Sequence, residues 1–121
     1  MRGCRLSLKR VIEALVSLGL SRTEARIYVF LEKSGSHNDV DISQALKLRA
    51  KELINSLKNL QDKKLIQISA QQTVEFSAVP FEKAIDLLIE VKKEQAQSLQ
   101  ERKMELLSSW QNMAKKNSDN N

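Results

Sequence analysis

A polar segment near the middle of the chain carries side chains of the types that contact nucleic acid. Arginine and lysine donate to phosphate oxygens and to guanine O6 and N7, and an asparagine amide matches the donor and acceptor edge of adenine. On a helical wheel with Leu53 in the buried direction, three of these side chains point nearly opposite to it. One helix face therefore has the chemistry needed in a DNA major groove. The residues are Arg49, Lys51, Asn55 and Lys58.

The positive charge of the chain is concentrated in its first half. Residues 1–66 carry thirteen Lys and Arg against seven Asp and Glu, whereas residues 67–121 carry seven against eight. The segment 47–64 carries six against two, a net charge of +4, which would attract DNA. Because lysine is common on protein surfaces, the same pattern also fits an ordinary solvated helix face. The secondary structure predicted around this segment distinguishes between the two interpretations.

Two helices are predicted before this segment. Apolar residues at helical spacing predict a helix over residues 6–18, which Gly19 ends. Ser21 and Glu24 have the spacing of a capping box, in which each side chain accepts a hydrogen bond from the backbone amide of the other. A second helix is therefore predicted to begin there and to end at Gly35.

A helix-turn-helix pattern follows. A short helix of about two turns is predicted after Asn38 or Asp39, either of which can cap it. Only three residues separate it from a run that begins at Ala50, has leucines at helical spacing and extends to about Lys63. Two short helices joined by a tight turn form the helix-turn-helix motif.

The hydrophobic period changes after Lys64. Residues 65–69 and 74–78 alternate between apolar and polar types around a polar break, which predicts a β-hairpin. Pro80 suits the first position of a long final helix, because no further Gly or Pro follows it. The predicted fold is mainly α with a small β-hairpin: a winged helix-turn-helix domain over 1–79, a long C-terminal dimerisation helix over 80–116 and a disordered tail over 117–121.

The final helix carries an apolar stripe that the predicted domain cannot cover. Burying it against the same helix of a second chain would recover about 1.5–3 kcal/mol per large side chain, which favours a homodimer. The polar residues Gln95, Arg102 and Ser109 would occupy d positions of a coiled coil, so an antiparallel helix pair or small bundle fits better. The alternative is an exposed tail. The predicted interface residues are Leu99, Leu106, Leu107, Trp110 and Met113.

Catalytic and cofactor chemistry has little support in the sequence. Cys4 is the single cysteine and His37 the single histidine, so neither a disulfide nor a cysteine-based metal site is predicted. The three glycines are too dispersed for a phosphate-binding loop. No apolar stretch is long enough for a membrane span or a secretory leader. The predicted protein is soluble and cytoplasmic, is not an enzyme, and needs no metal or cofactor.

Three segments resemble the archaeal TrmB-like transcriptional regulators, a winged helix-turn-helix family. Leu18–Tyr28 (LGLSRTEARIY) resembles the opening signature of that family, His37–Ile66 follows its second motif without a gap, and Phe76–Pro80 resembles its strand exit into the next helix. The resemblance covers about residues 8–90. It implies that the helix beginning near Arg49 is the recognition helix, that the hairpin is the wing, and that the protein is a dimeric repressor or activator.

The chain departs from the family pattern in three places. Lys47 and Lys64 stand where the family usually has glycine, so lysine would have to adopt any left-handed backbone at these turns. Lys47 and Ala50 are also predicted to contact DNA. The hairpin tip has no cation, so amide hydrogen bonds from Gln71 and Gln72 are expected instead. Larger members continue into a sugar-binding effector domain, and a short form without a sugar site is expected.

These observations predict a sequence-specific transcriptional regulator. It would bind double-stranded DNA as a homodimer, with two recognition helices on a pseudo-palindromic site and half-sites about one helical turn apart. A different function remains open, in which the winged domain is a protein-interaction adaptor that uses its C-terminal helix and does not bind DNA. A membrane-surface role for the basic first helix has less support, because that helix continues into another buried helix.

Overall fold

The computed structural model describes residues 4–119, and the side chains of residues 7–115. It contains five helices and one hairpin in this range. In chain order the elements are α1 (Cys4–Ser17), α2 (Arg22–Ser34), α3 (Asp39–Leu46), α4 (Ala50–Asp62), β1 (Ile66–Ser69), β2 (Glu75–Ala78) and α5 (Phe81–Asp119). The chain divides into two compact units, Met1–Ile89 and Glu90–Asn121.

The predicted capping box begins α2. The backbone amide of Glu24 donates to Ser21 Oγ over 3.0 Å, and the amide of Ser21 donates to Glu24 Oε1 over 3.1 Å. Two amides that the helix cannot satisfy internally are thus paired by its own first turn. At the other end, Gly35 adopts a φ of 87° and donates its amide to the carbonyl of Leu31, as a terminating glycine is expected to do.

The helix-turn-helix has the predicted boundaries to within a residue or two. Of the two candidate caps for α3, Asn38 is the one used, since its Oδ1 accepts the amide of Asp41 over 2.8 Å. Lys47 ends α3 with φ 56° and ψ 51°, and Lys64 follows α4 with φ 64°. Both lysines at the positions where glycine is usual therefore have left-handed backbone, which costs an L-residue with a Cβ atom about 1 kcal/mol.

Lys47→Gly is expected to raise the free energy of unfolding by about 1 kcal/mol, because glycine adopts left-handed backbone without the Cβ clash. Lys64→Gly should behave in the same way. The matched control is Lys47→Ala, which removes the same charge but keeps a Cβ atom, and no gain is expected from it. Urea unfolding of the three variants measures the difference. Equal stability of the Gly and Ala variants at residue 47 would contradict the explanation by backbone conformation.

The wing contains a third backbone partner that local patterns do not reveal. β1 and β2 pair antiparallel, with Ile66 opposite Ala78 and Ser69 opposite Glu75. His37, in the segment before α3, forms an isolated antiparallel bridge to Phe76, donating its amide over 3.1 Å and accepting the amide of Phe76 over 2.8 Å. This bridge ties the start of the helix-turn-helix to the wing.

One hydrophobic core joins the helices and the wing. Among its fully buried side chains are Leu15, Ile27, Leu31, Ile42, Leu60 and Leu65, contributed by α1 to α4 and by the residue before β1. Tyr28 is also buried, and its hydroxyl donates to the carbonyl of Val79 over 2.6 Å. Burial, together with the nearby charge of Glu32, raises the pKa of Tyr28 from 10.0 to about 12.

The free energy of unfolding is expected to fall between pH 10 and pH 12 because of the titration of Tyr28. The folded state keeps the phenol protonated where the unfolded chain has lost the proton, so the stabilisation is complete below pH 10 and is lost as the pH passes the folded pKa of about 12. The loss amounts to about 3 kcal/mol. Tyr28→Phe should remove this part of the pH dependence. Parallel slopes for the two proteins over that range would contradict the prediction.

The first turns of α5 belong to the core, because Ala84 and Leu88 are buried there. The helix begins after Pro80 and continues to Asp119, three residues beyond its predicted end. The last two residues of the predicted disordered tail, 120 and 121, lie outside the described residues, as does the side chain of Cys4. None of the helices in the part of the chain that the structure describes is long and apolar enough to cross a membrane.

Candidate nucleic-acid interface

The candidate interface is built on α4, a strongly amphipathic helix. Its inner face buries Leu53, Ser56, Leu57 and Leu60. This face packs against α2, α3 and β1. Since side chains at i, i+3, i+4 and i+7 lie on one side of a helix, the burial of these four residues leaves the opposite side to solvent.

A buried carboxylate holds the C-terminal half of α4 in place. Glu24, on the first turn of α2, is only 5% exposed. Its Oε2 accepts a hydrogen bond from Asn59 Nδ2 over 2.8 Å, and its Oε1 lies 3.5 Å from Lys63 Nζ. Near the start of α4, Thr23 Oγ1 donates to Glu52 over 3.4 Å. These contacts, made by two consecutive residues of α2, fix the rotation of α4 about its own axis.

The turn between α3 and α4 is held by side chains from two helices. Ser43 Oγ donates to the carbonyl of Leu48 over 2.7 Å, and an Arg26 guanidinium nitrogen donates to the carbonyl of Leu46 over 3.2 Å. Leu48 itself is buried. One carbonyl at the end of α3, that of Leu46, and one in the turn, that of Leu48, are thereby paired, and the start of α4 has a defined position relative to α3.

The outer face of α4 and the turn before it carry the predicted DNA-contacting residues of the helix-turn-helix, and all of them are exposed. The described side chains include no hydrogen-bond or salt-bridge partner for any of them. Four residues line one shallow depression, three of which were predicted to contact DNA. The exposed predicted residues are Lys47, Arg49, Ala50, Lys51, Asn55 and Lys58, and the residues lining the depression are Arg49, Lys51, Glu52 and Asn55.

The start of α4 adds positive potential to this face. Arg49 is the N-cap residue, and its side chain makes no capping hydrogen bond. The first-turn amides of α4 therefore keep donor capacity directed away from the helix, at the positive end of the helix dipole. A phosphate oxygen is an acceptor that such a helix start can bind.

Gln71 and Gln72, the predicted wing contacts, are exposed in the turn between β1 and β2. They make no described side-chain hydrogen bond within the chain, so their amides are free to bond elsewhere. The turn carries no lysine or arginine between residues 69 and 75. The role of these two glutamines in binding stays a prediction.

One exposed side chain of this region was not predicted from the sequence. Ile54 lies beside the polar face of α4 and is 61% exposed, and Val40 on α3 is 56% exposed. Both line a second depression between α3 and α4. The signal was available on the helical wheel, where Ile54 falls outside the sector of Leu53 and Leu57.

The unit Glu90–Asn121 presents the predicted apolar stripe to solvent. The side chains of residues 91–115 are all exposed in the single chain. The exposed fraction of Trp110 is 68%. So large an aromatic surface is costly to leave in water. The other stripe residues, Leu99, Leu106, Leu107 and Met113, are between 44% and 60% exposed.

The arrangement of helix-turn-helix, hairpin and following helix defines the class as a winged helix-turn-helix protein. A family model described as the sugar-specific transcriptional regulator TrmB matches residues 15–82. The match covers more than half of the chain, so the chain belongs to the TrmB family of transcriptional regulators. The family is one of regulators and not of enzymes. No curated protein sequence matches the chain.

Solved structures with this fold include archaeal and bacterial proteins. TrmBL2, described as an archaeal chromatin protein with a novel mode of DNA binding, has a TM-score of 0.73 at 21% identity, covering 85% of this chain and 40% of its own. A possible transcriptional regulator from Methanosarcina mazei Go1 has a TM-score of 0.61 at 18% identity, covering 80% and 86%. A Lactococcus lactis ZitR mutant, solved in complex with DNA, has a TM-score of 0.50 at 23% identity, covering 72% and 60%.

Proposed function

We propose that the protein binds specific sequences of double-stranded DNA as a homodimer and thereby regulates transcription in the cytoplasm. The observation that carries the proposal is the outer face of α4. Its cations and amide are exposed and make no described internal contacts, while the opposite face packs on the core and the contacts of Glu24 with Asn59 and Lys63 fix the rotation of the helix. A rigidly held helix whose exposed side has hydrogen-bond donors without internal partners is suited to contact the phosphates and base edges of DNA.

The side chains of the face divide into two roles. Lys47, Arg49 and Lys51 surround the start of α4, where backbone amides also point outward, so they are assigned to phosphates. Asn55 lies one turn further along the outer face and is assigned to the adenine edge in the major groove. Lys58 extends the cationic surface along the helix and contributes to either role. Gln71 and Gln72 would supply the contacts of the wing.

A homodimer through α5 supports the same function. Pairing the apolar stripe with a second copy would remove Trp110 and the neighbouring leucines from water and place two α4 helices about a two-fold axis. Because Gln95, Arg102 and Ser109 interrupt a parallel heptad pattern, an antiparallel pair or small bundle is the proposed geometry. The corresponding target is a pseudo-palindrome with half-sites about one helical turn apart.

Two of the structural neighbours bear on this proposal. TrmBL2 is described by its mode of DNA binding, and ZitR was solved with DNA bound. This chain spans 40% of the length of TrmBL2 and 60% of that of ZitR, so the comparison supports DNA binding by the winged domain and not the activity of the whole neighbour.

The test is binding of the purified protein to genomic DNA fragments at increasing salt, followed by footprinting of the retained fragments. A reproducible footprint and a steep fall in affinity with salt are expected, because each neutralised phosphate contributes a slope of about −0.9 in log–log form. Absence of binding even at low salt would overturn the proposal.

A protein-interaction adaptor is the second candidate function. The exposed stripe on α5 favours it, because an apolar surface of this kind can also bind a different protein. Gel filtration with light scattering, together with a DNA mobility-shift assay, distinguishes the two functions. A monomer without DNA affinity would support the adaptor, and a dimer that retains DNA would support the regulator.

A further inference from the structure

An exposed isoleucine stands out on the otherwise polar outer side of α4. Ile54 is 61% exposed, whereas its neighbour Leu53 is 3% exposed. Beside it, Val40 on α3 is 56% exposed, and the two line one depression together with Ala50 and Leu53 and with the polar residues Asp39, Ser43 and Gln44. Two β-branched apolar side chains thus meet solvent at the junction of the two helices of the helix-turn-helix.

Folding does not explain this isoleucine. A β-branched side chain loses rotamer freedom in a helix, so alanine or lysine would suit a solvated position better. Ile54 is largely outside the core that Leu53 and Leu57 form. A side chain that is unfavourable for the helix and only weakly used by the core is available for a contact made outside the chain.

The surroundings of Ile54 indicate the kind of contact. Ile54 and Asn55 are consecutive and therefore lie about 100° apart around the helix, with Lys51 and Lys58 in the sector between them. If the cationic face lies against a duplex, an apolar group at its edge has one apolar feature to meet in the major groove. That feature is the C5 methyl group of thymine.

We propose that Ile54, flanked by Val40, contacts a thymine methyl group and so contributes to the choice of DNA sequence. The inference rests on the proposed DNA-binding function and adds to it a specificity determinant and a base. Asn55 and Ile54 would then recognise two features of A·T pairs, the adenine edge and the thymine methyl. Each half-site is accordingly expected to contain A·T pairs at the positions that face α4.

The experiment compares thymine with uracil, which differ only by this methyl group. A bound duplex is first obtained by selection with the wild-type protein, and each thymine of one half-site is then replaced by uracil in turn. The wild-type protein is expected to bind about fourfold more weakly when the contacted thymine is replaced, which corresponds to the burial of one methyl group. At the other positions no change is expected.

The variant Ile54→Ala tests whether the effect of uracil comes from this side chain. It should bind the thymine and uracil duplexes equally, because the methyl contact is already lost, and circular dichroism should show a helical, folded protein. The matched control is Val91→Ala, which truncates an exposed apolar residue of α5, outside the helix-turn-helix and the wing, and should retain the fourfold difference.

Three outcomes would overturn the proposal. Insensitivity of the wild-type protein to uracil at every position would exclude a thymine methyl contact. A uracil effect that persists in Ile54→Ala would assign the contact to another residue. Failure to bind any duplex would overturn the proposed function together with this contact, so the two failures are distinguishable.

Discussion

Trp110→Glu is expected to convert the proposed dimer into monomers and to weaken binding to a two-half-site duplex by about 100-fold. Trp110 is 68% exposed in the single chain, and it occurs twice in a symmetric pair. Replacing it removes the largest apolar surface of the stripe and introduces two carboxylates that would have to be desolvated. Once the chains separate, the second half-site no longer benefits from the first binding event.

Sedimentation equilibrium measures the dimer, and titrations with full-site and half-site duplexes measure the DNA affinity. The half-site affinity should be unchanged, because α4 is untouched by the substitution. Met104→Glu is the matched control: Met104 is 75% exposed and also lies on α5, about 130° around the helix from the centre of the stripe. A dimeric Trp110→Glu variant, or a monomeric Met104→Glu variant, would contradict the assignment of the stripe as the interface.

Asn55→Ala is expected to lower the affinity for the specific duplex by about tenfold per half-site, with little effect on random DNA. The reason is the loss of a bidentate contact to adenine, which discriminates between bases by about 1–3 kcal/mol. Lys51→Ala should behave differently. It removes a phosphate contact, so all sequences should bind more weakly and the log–log salt slope should fall by about 1 per subunit.

Competition titrations with specific and random duplexes at several salt concentrations separate these effects. Asn112→Ala on α5 is the control for the asparagine truncation, since Asn112 is also exposed but lies in the other compact unit. It should leave both affinities unchanged. If Asn55→Ala and Lys51→Ala reduce specific and random binding to the same extent, the division of α4 into base-contacting and phosphate-contacting side chains is wrong.

Much of the fold followed from signals that are local in the sequence. The Ser21 and Glu24 capping box, the asparagine cap of α3 and the period change after α4 all lie within a few residues of the structure they specify. The left-handed backbone at Lys47 and Lys64 was anticipated from the family resemblance. Such features are predictable because one turn of helix or one β-turn satisfies its own hydrogen bonds.

The remainder depends on contacts between residues that are distant in the sequence. Asn59 lies among the outward-pointing side chains on the wheel, yet it donates to Glu24, which is 35 residues away. Tyr28 bonds to Val79 across 51 residues, and His37 pairs with Phe76. No local periodicity encodes these pairs. Ile54 is a different case, because its position on the helical wheel lies outside the buried sector and its exposure of 61% agrees with that position.

The apolar stripe on α5 can be followed by fluorescence. Trp110 is the only tryptophan of the chain, and α4 and the hairpin contain none. Intrinsic indole fluorescence of the unlabelled protein therefore originates at a single surface. A blue shift with rising concentration would report self-association directly, without a dye, and the same signal recorded during a DNA titration would show whether assembly precedes or follows binding.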